Sequence, residues 1–270
     1  MTHRPRRSAL FLPASNPRAI EKARELAADV VILDLEDAVA PEAKETARGA
    51  AVAAAGVGFG NRELVIRANG IDTPWGEDDL AAVRGIGATV LVPKIRNGGD
   101  VETCRTRLGS ETPLWAMLET CEAIGRLQDI AETNVQGLVL GVNDLALELG
   151  ARSGAERAWL APVQTMVLAA ARSRGLVALD GVCNDFSNDE RLRAECETAA
   201  AMGYDGKSLI HPRQIDICNA VFSPGADEIA WAEKVRDAFA GSDGGVIQID
   251  GKMVEALHFA QAERILGMAT

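Results

Sequence analysis

Short apolar, β-branched-rich runs recur along the chain at 9–13, 30–35, 63–68, 88–93, 114–118, 137–140, 176–180 and 206–210. Runs of this length, apolar without strict alternation, predict strands of a parallel sheet buried on both faces. Between them stand Ala-rich stretches of helical period, at 17–28, 41–55, 78–85, 121–132, 155–174 and 189–203, each long enough for a crossover. Eight such units, with no GxGxxG after the first strand, predict a closed (β/α)8 barrel of the TIM type, in the α/β class, over an open dinucleotide-binding sheet. No repeat, low-complexity tract or linker divides the first part of the chain, so the barrel is expected over 1–222. Ser223-Pro224-Gly225 then breaks the pattern; 226–240 reads as a helix, 241–245 as a flexible turn and 246–268 as a short strand and a helix. The segment 223–270 is therefore expected as a C-terminal helix and cap belonging to the same domain.

In a barrel the carboxyl ends of the strands share one mouth, so the residue that closes each run carries the information. The residues at these ends are mostly charged: Asp34, Glu36 and Asp37; Arg67 with Asn69; Lys94; Glu119; Asp180; the sixth run leads to Asn143 and Asp144, and the eighth lies close to Lys207. A hard cation such as Mg2+ takes oxygen ligands and often uses one or two carboxylates plus water and substrate, which makes Glu119 and Asp144 the candidate ligands. Asp34, Glu36 and Asp37 either stand behind the metal's waters and orient Arg67 and Lys94, or simply cap helices and pair with bases. Arg67 has the planar fork that grips a carboxylate, or it pairs with one of the three acids. Lys94 either stabilises an enolate or neutralises local charge. His211, in KSLIHP, reads as a structural residue beside an apolar run, and the four tryptophans as packing.

Composition narrows the classes. At 47% hydrophobic and 25% charged residues the chain matches a soluble globular protein. A net charge of -11 argues against a nucleic-acid surface, so an anionic ligand has to be held by local bases. Five cysteines without a CxxC pair indicate neither a disulfide framework nor a zinc site and fit a reduced, cytoplasmic setting. No apolar run is long enough to span a membrane, and 9–12 is too short for a signal core.

Several segments, RRSALFLPASNPRAIEKA, DVVILDLEDAVAPEAKETAR, LVIRANGIDTPWGEDDL, VLVPKI, LWAMLET, LVLGVNDLALELG and GYDGKSLIHPRQI, follow one another in a familiar order. Together they resemble the citrate lyase beta-subunit-like (CitE-like) branch of the HpcH/HpaI aldolase superfamily, along nearly the whole chain. The resemblance implies a (β/α)8 barrel assembled as homotrimers or hexamers. It also implies Mg2+-dependent, reversible carbon–carbon cleavage of 3-hydroxyacyl-CoA thioesters such as malyl-, citramalyl- or citryl-CoA to a 2-oxo acid and an acyl-CoA. Glu119 and Asp144 match the family's metal ligands, Arg67 its substrate-binding arginine, and Glu36 and Asp37 the acids near the metal waters. The expected site is then Arg67, Asp37 and Glu255 for catalysis, Arg67, Lys94 and Glu36 for substrate, and Glu119 and Asp144 for metal.

Two departures bear on these expectations. Related malyl-CoA and citramalyl-CoA lyases carry a C-terminal G-x-M-x-D-x-P segment whose aspartate serves a neighbouring subunit as acid/base. Here the stretch is GKMVEAL, with Glu255 for the aspartate and Leu257 for the proline. The extra methylene shifts the carboxylate by about 1 Å, a displacement that costs ~100-fold in rate when uncompensated. Ala14 also stands where a glycine follows the first-strand proline. Other readings left open are a citrate lyase beta subunit in a multi-protein complex, a metal aldolase of free hydroxy-keto acids, and a non-catalytic acyl-CoA-binding barrel.

Overall fold

The computed structural model describes residues 4–152, 157–240 and 245–268. The chain divides into two compact units, Arg6–Asn219 and a smaller one built on Ala220–Thr270. In the first, eight parallel strands follow in chain order: β1 (Ser8–Pro13), β2 (Val30–Asp34), β3 (Glu63–Arg67), β4 (Thr89–Val92), β5 (Leu114–Leu118), β6 (Gly137–Leu140), β7 (Val177–Asp180) and β8 (Gly206–Leu209). β8 pairs back onto β1 through Ser8–Lys207 and Ala9–Ser208, so the sheet closes into the predicted barrel.

Local chemistry starts the crossovers. Asn16, Asn97, Thr120 and Asn188 each accept an N–H from the residue three places on, satisfying a donor that the first helical turn leaves bare. The helix Gly98–Leu108 follows Asn97; despite two leading glycines and a polar body, it buries Val101, Cys104 and Leu108 along one face. The stretch predicted as one helix over 121–132 is two, Cys121–Gly125 and Leu127–Ala131, broken at Arg126 where the backbone leaves helical values (φ -126°, ψ 26°). The stretch 155–174 becomes a 3-10 turn, Arg157–Leu160, and a helix, Ala161–Ser173, while 155 and 156 lie outside the described residues.

Side chains alternate across a strand, and this period of two decides what faces the barrel axis. Ala9, Ile32, Val65, Leu91, Trp115, Met117, Val139 and Leu179 form one buried cluster. A Cβ on Gly137 would fall within 3 Å of the Trp115 indole, so the bare glycine gives the ring its space. Two residues further along the same stripe, Ile32 is succeeded by Asp34, Val65 by Arg67 and Met117 by Glu119. The inward row thus turns from apolar to charged where the strands end.

The same parity removes two residues from the expected ring. Asp180 and Lys207 have the opposite parity to Leu179 and Ser208, and both are fully buried outside the barrel lumen. Lys207 Nζ donates to Asp180 Oδ2 and to the Gly181 carbonyl, each at 2.6 Å, and lies 3.1 Å from Glu195. Arg157 donates to Asp180 at 3.1 Å and to Glu195 at 2.7 Å. Burial pushes the Asp180 carboxyl up, but Lys207 and Arg157 outweigh it and hold it below the usual carboxylate range. This is an ion network sealing β7 and β8 to the helix Asp189–Met202, and none of its side chains lines the strand-end cavity that holds Arg67 and Glu119.

In the second unit the helix Ala226–Ala240 stands as expected. The single strand expected after it is instead a hairpin, β9 (Ile247–Ile249) and β10 (Lys252–Val254), followed by the helix Ala256–Met268. Asp250 and Gly251 join the strands with φ of 49° and 79°, the left-handed pair of a type I′ turn, which Asp-Gly favours. Val254 and Ala262 pack with Ala232 and Val235 in the unit's own core. Residues 241–244 of the expected flexible turn lie outside the described residues.

Candidate active site

At the carboxyl ends of the strands lies a cavity of about 300 Å³. Its charged lining is Asp34, Asp37, Arg67, Glu119 and Asp144; Phe11, Leu140, Val142, Val182 and Ile210 give it apolar walls. Six of the seven site residues predicted from the sequence, Glu36, Asp37, Arg67, Lys94, Glu119 and Asp144, are at or directly behind this cavity.

Arg67, at the end of β3, is 7% exposed and satisfied by three acids. Its Nε and Nη2 donate to the two oxygens of Asp34, both at 2.7 Å, using the fork for a bidentate pair within the protein. Nη1 lies 2.8 Å from Glu36 Oε2 and donates to Asp37 Oδ2 at 3.3 Å. The guanidinium also rests 4.9 Å from the Phe11 ring centre, and Nη1 approaches the Met117 sulfur at 3.9 Å. Burial disfavours its charge, yet the hydrogen bonds and fields of Asp34, Glu36 and Asp37 push its pKa further above the arginine range. The sequence offered the fork either to a ligand or to one of the acids; as folded its Nε and Nη2 belong to Asp34, and Nη1 is left to Glu36 and Asp37. Asp37 is the outlying acid, its side chain 65% exposed.

Glu36 is held differently. Burial is the main influence on its carboxyl and, helped by Glu119 and Asp37, outweighs Arg67 and Lys94 to push its pKa up to about 7. The native state therefore keeps a proton that the unfolded chain releases near 4.5. The sign follows: this stabilisation is fully present below about pH 4.5 and is lost as pH rises towards 7, by at most on the order of 3 kcal/mol. Urea unfolding of wild type and Glu36→Gln at pH 5 and pH 8 is expected to show the variant gaining relative stability at the higher pH. An equal difference at both pH values would contradict a raised Glu36.

Glu119 follows β5 and is 2% exposed; Asp144 sits in the first turn of the helix Val142–Glu148 that follows β6. Gly141, which follows β6, lies against Glu119: a Cβ there would come within 2.5 Å of Glu119 Cβ and 2.6 Å of its Oε2. The missing side chain is what lets the Glu119 carboxylate lie against the end of β6. Lys94 has φ 56°, in the left-handed region that side-chain-bearing residues seldom occupy, and its N–H donates to Glu119 Oε1 at 2.8 Å. Its ammonium contacts Asp144 Oδ2 and lies 3.7 Å from Glu119 Oε1.

Two carboxylates from successive strand ends thus converge on one positive charge. Asp144 Oδ2, although buried, makes no directed hydrogen bond. Among the described residues no three carboxylate, imidazole or thiol groups are placed to hold a metal ion together, so a metal here has two protein ligands at most from this set. That donor set fits Mg2+, which keeps waters and takes substrate oxygens, and does not fit a cation that needs a full cage. Glu119 and Asp144 are the residues that could hold it.

Glu255 belongs to the second unit, where its N–H donates to His258 Nδ1 at 3.0 Å and its carbonyl accepts from His258 N–H at 2.9 Å, opening the last helix. His211 caps the start of the 3-10 turn Pro212–Gln214: its Nδ1 accepts from Arg213 N–H at 3.2 Å and its ring stacks on Phe186 at 4.7 Å. Sequence reasoning passed over Phe11 and Met117, the apolar seat of Arg67. The inward parity of β1 and β5 was the signal for both.

The inward rows of this closed barrel end in a buried arginine and two converging carboxylates. Comparison with known proteins gives the family. The family model HpcH/HpaI aldolase/citrate lyase matches residues 7–212, and the chain belongs to that family. It is 44% identical over 271 residues to a (3S)-malyl-CoA thioesterase of Cereibacter sphaeroides, covering 98% of this chain and 95% of that protein. An L-malyl-CoA/beta-methylmalyl-CoA lyase of the same species is 31% identical over 302 residues, again with 98% and 95% covered. Among solved structures, CitE from Mycobacterium tuberculosis in complex with magnesium, acetoacetate and coenzyme A matches with a TM-score of 0.82 and 33% identity, over 98% of this chain and 97% of that one. The resemblance read from the ordered segments is borne out, and so is the barrel.

Proposed function

We propose that the chain is a Mg2+-dependent lyase of 3-hydroxyacyl-CoA thioesters whose hydroxyl carbon bears a carboxylate. Malyl-CoA is the first candidate, cleaved to a 2-oxo acid and an acyl-CoA. The observation that carries this reading is the convergence of Glu119 and Asp144 on one positive charge, with Arg67 lining the same cavity. When bound, Mg2+ supplies Lewis-acid polarisation of the substrate's oxygen atoms. Arg67, through its Nη1 edge, and Lys94 orient the substrate carboxylate. Asp37, the exposed acid on the rim, takes the hydroxyl proton as that carbon becomes a carbonyl. The electron pair of the broken carbon–carbon bond passes to the thioester's α carbon, which then needs a proton; Glu255 is assigned that role on its sequence position. Cytoplasmic location and assembly as a homotrimer or hexamer belong to the same reading.

A second reading has one observation in its favour, the 44% identity to a (3S)-malyl-CoA thioesterase. It keeps the substrate and changes the bond: water attacks the thioester, giving malate and free coenzyme A. One incubation with malyl-CoA and Mg2+ separates the two. Cleavage yields glyoxylate and acetyl-CoA in equal amounts with no free thiol, whereas hydrolysis yields free thiol without glyoxylate. Release of neither a 2-oxo acid nor free thiol from malyl-, citramalyl-, methylmalyl- or citryl-CoA would sink both. Under the lyase reading Glu255→Gln slows turnover and leaves Mg2+ affinity unchanged; an unaltered rate would assign the proton elsewhere.

A further inference from the structure

We infer that Lys44 is a positioning residue for the acid loop Asp34–Asp37, fixing from behind the carboxylates that face the cavity; the inference rests on reading that cavity as the active site. Lys44 opens the helix Lys44–Val57 and is 6% exposed. Its Nζ donates to the Leu35 and Glu36 carbonyls, both at 2.7 Å, and lies 5.2 Å from the Trp75 ring centre. An ammonium has three donors and no acceptor, and two adjacent carbonyls plus an aromatic face account for its surroundings.

The loop is thus held between two cations. Arg67 takes its carboxylates, and Lys44 takes its main-chain oxygens. Asp34 stiffens it further by accepting Glu36 N–H at 2.9 Å and Ala38 N–H at 3.0 Å. Asn69 adds a third grip, donating to the Leu35 carbonyl at 3.0 Å while Asp79 holds its amide at 2.6 Å and Arg48 holds Asp79 at 2.7 Å. Charge explains why a cation is needed behind the loop. Asp34, Glu36 and Asp37 share one guanidinium, and a neutral donor in place of Lys44 would leave the loop's carbonyl dipoles and excess negative charge opposed only from the front. Without Lys44, Glu36 and Asp37 are free to shift, and displacements of about 1 Å at such groups cost rate steeply.

The test uses the full chain carrying Lys44→Met, with Lys44→Gln measured alongside so that one misfolded variant leaves the test intact. Hydrogen exchange is expected to accelerate about 10-fold or more over 34–40 and to stay unchanged in β5 and β6. With whichever thioester the wild type turns over, kcat is expected to fall about 10-fold at nearly constant KM, and the same substitution in an Asp37→Asn background to add almost nothing. Unchanged exchange over 34–40, acceleration spread evenly over the barrel, or fully additive kcat losses would overturn the inference. If the wild type turns over no thioester, the functional reading fails, and the exchange pattern alone decides for or against Lys44.

Discussion

Glu119→Gln is expected to lower Mg2+-dependent turnover on the order of 1,000-fold while leaving the fold intact. The reasoning is one of charge and geometry. Glu119 and Asp144 supply the two anionic groups that converge at the cavity, and the amide replaces one of them with a neutral ligand of the same shape. The local structure survives because the Lys94 N–H, which donates to Glu119 Oε1 at 2.8 Å, finds the same acceptor in glutamine. A Mn2+ titration followed by electron paramagnetic resonance is expected to show the matching loss of affinity, and Asp144→Asn to repeat both results. Wild-type turnover in either variant would remove these residues from the metal site.

Arg67→Met carries the second large effect, on stability as well as activity. The substitution strips Asp34 of its bidentate partner and takes the neighbouring cation from Glu36 and Asp37 at once. Removing one side of a buried ion pair costs about 3–5 kcal/mol, because the remaining charge is left desolvated and unpaired. In a chain of this size that corresponds to a fall in Tm of about 10 °C. Turnover is expected to vanish with it. Arg67→Lys is expected to recover part of the stability but little activity, since an ammonium meets Asp34 as a point charge without the fork. A Tm within 2 °C of wild type for Arg67→Met would show that the acids hold themselves without it.

Much of this site was legible in the sequence because barrel geometry gathers strand ends, and strand ends are marked by where apolar runs stop. Glu119 after LWAML and Arg67 at the end of ELVIR are plain cases. The rule failed where parity was ignored. Asp180 closes its run and Lys207 lies at the start of the next strand, but their positions alternate outward, and the outer layer supplies Arg157 and Glu195 to pair with them. Counting in twos from the apolar residues Leu179 and Val177 would have excluded Asp180. The hairpin in the C-terminal unit was missed for a different reason: its strands have three residues each, too few to show alternation, and only the Asp250-Gly251 pair announces the turn. Lys44 was invisible because its partners are main-chain oxygens, which carry no side-chain signature. The left-handed backbone of Lys94 is likewise a tertiary outcome, set by the reach of its N–H to a carboxylate on the next strand.

The most direct measurement is a crystal structure grown with Mg2+ and a 2-oxo acid. One ion is predicted between Glu119 and Asp144, its other positions filled by water and the oxo acid, with the acid's carboxylate turned towards Arg67 Nη1. An ion bound elsewhere, or Glu119 and Asp144 turned apart with the oxo acid held by other residues, would contradict the account.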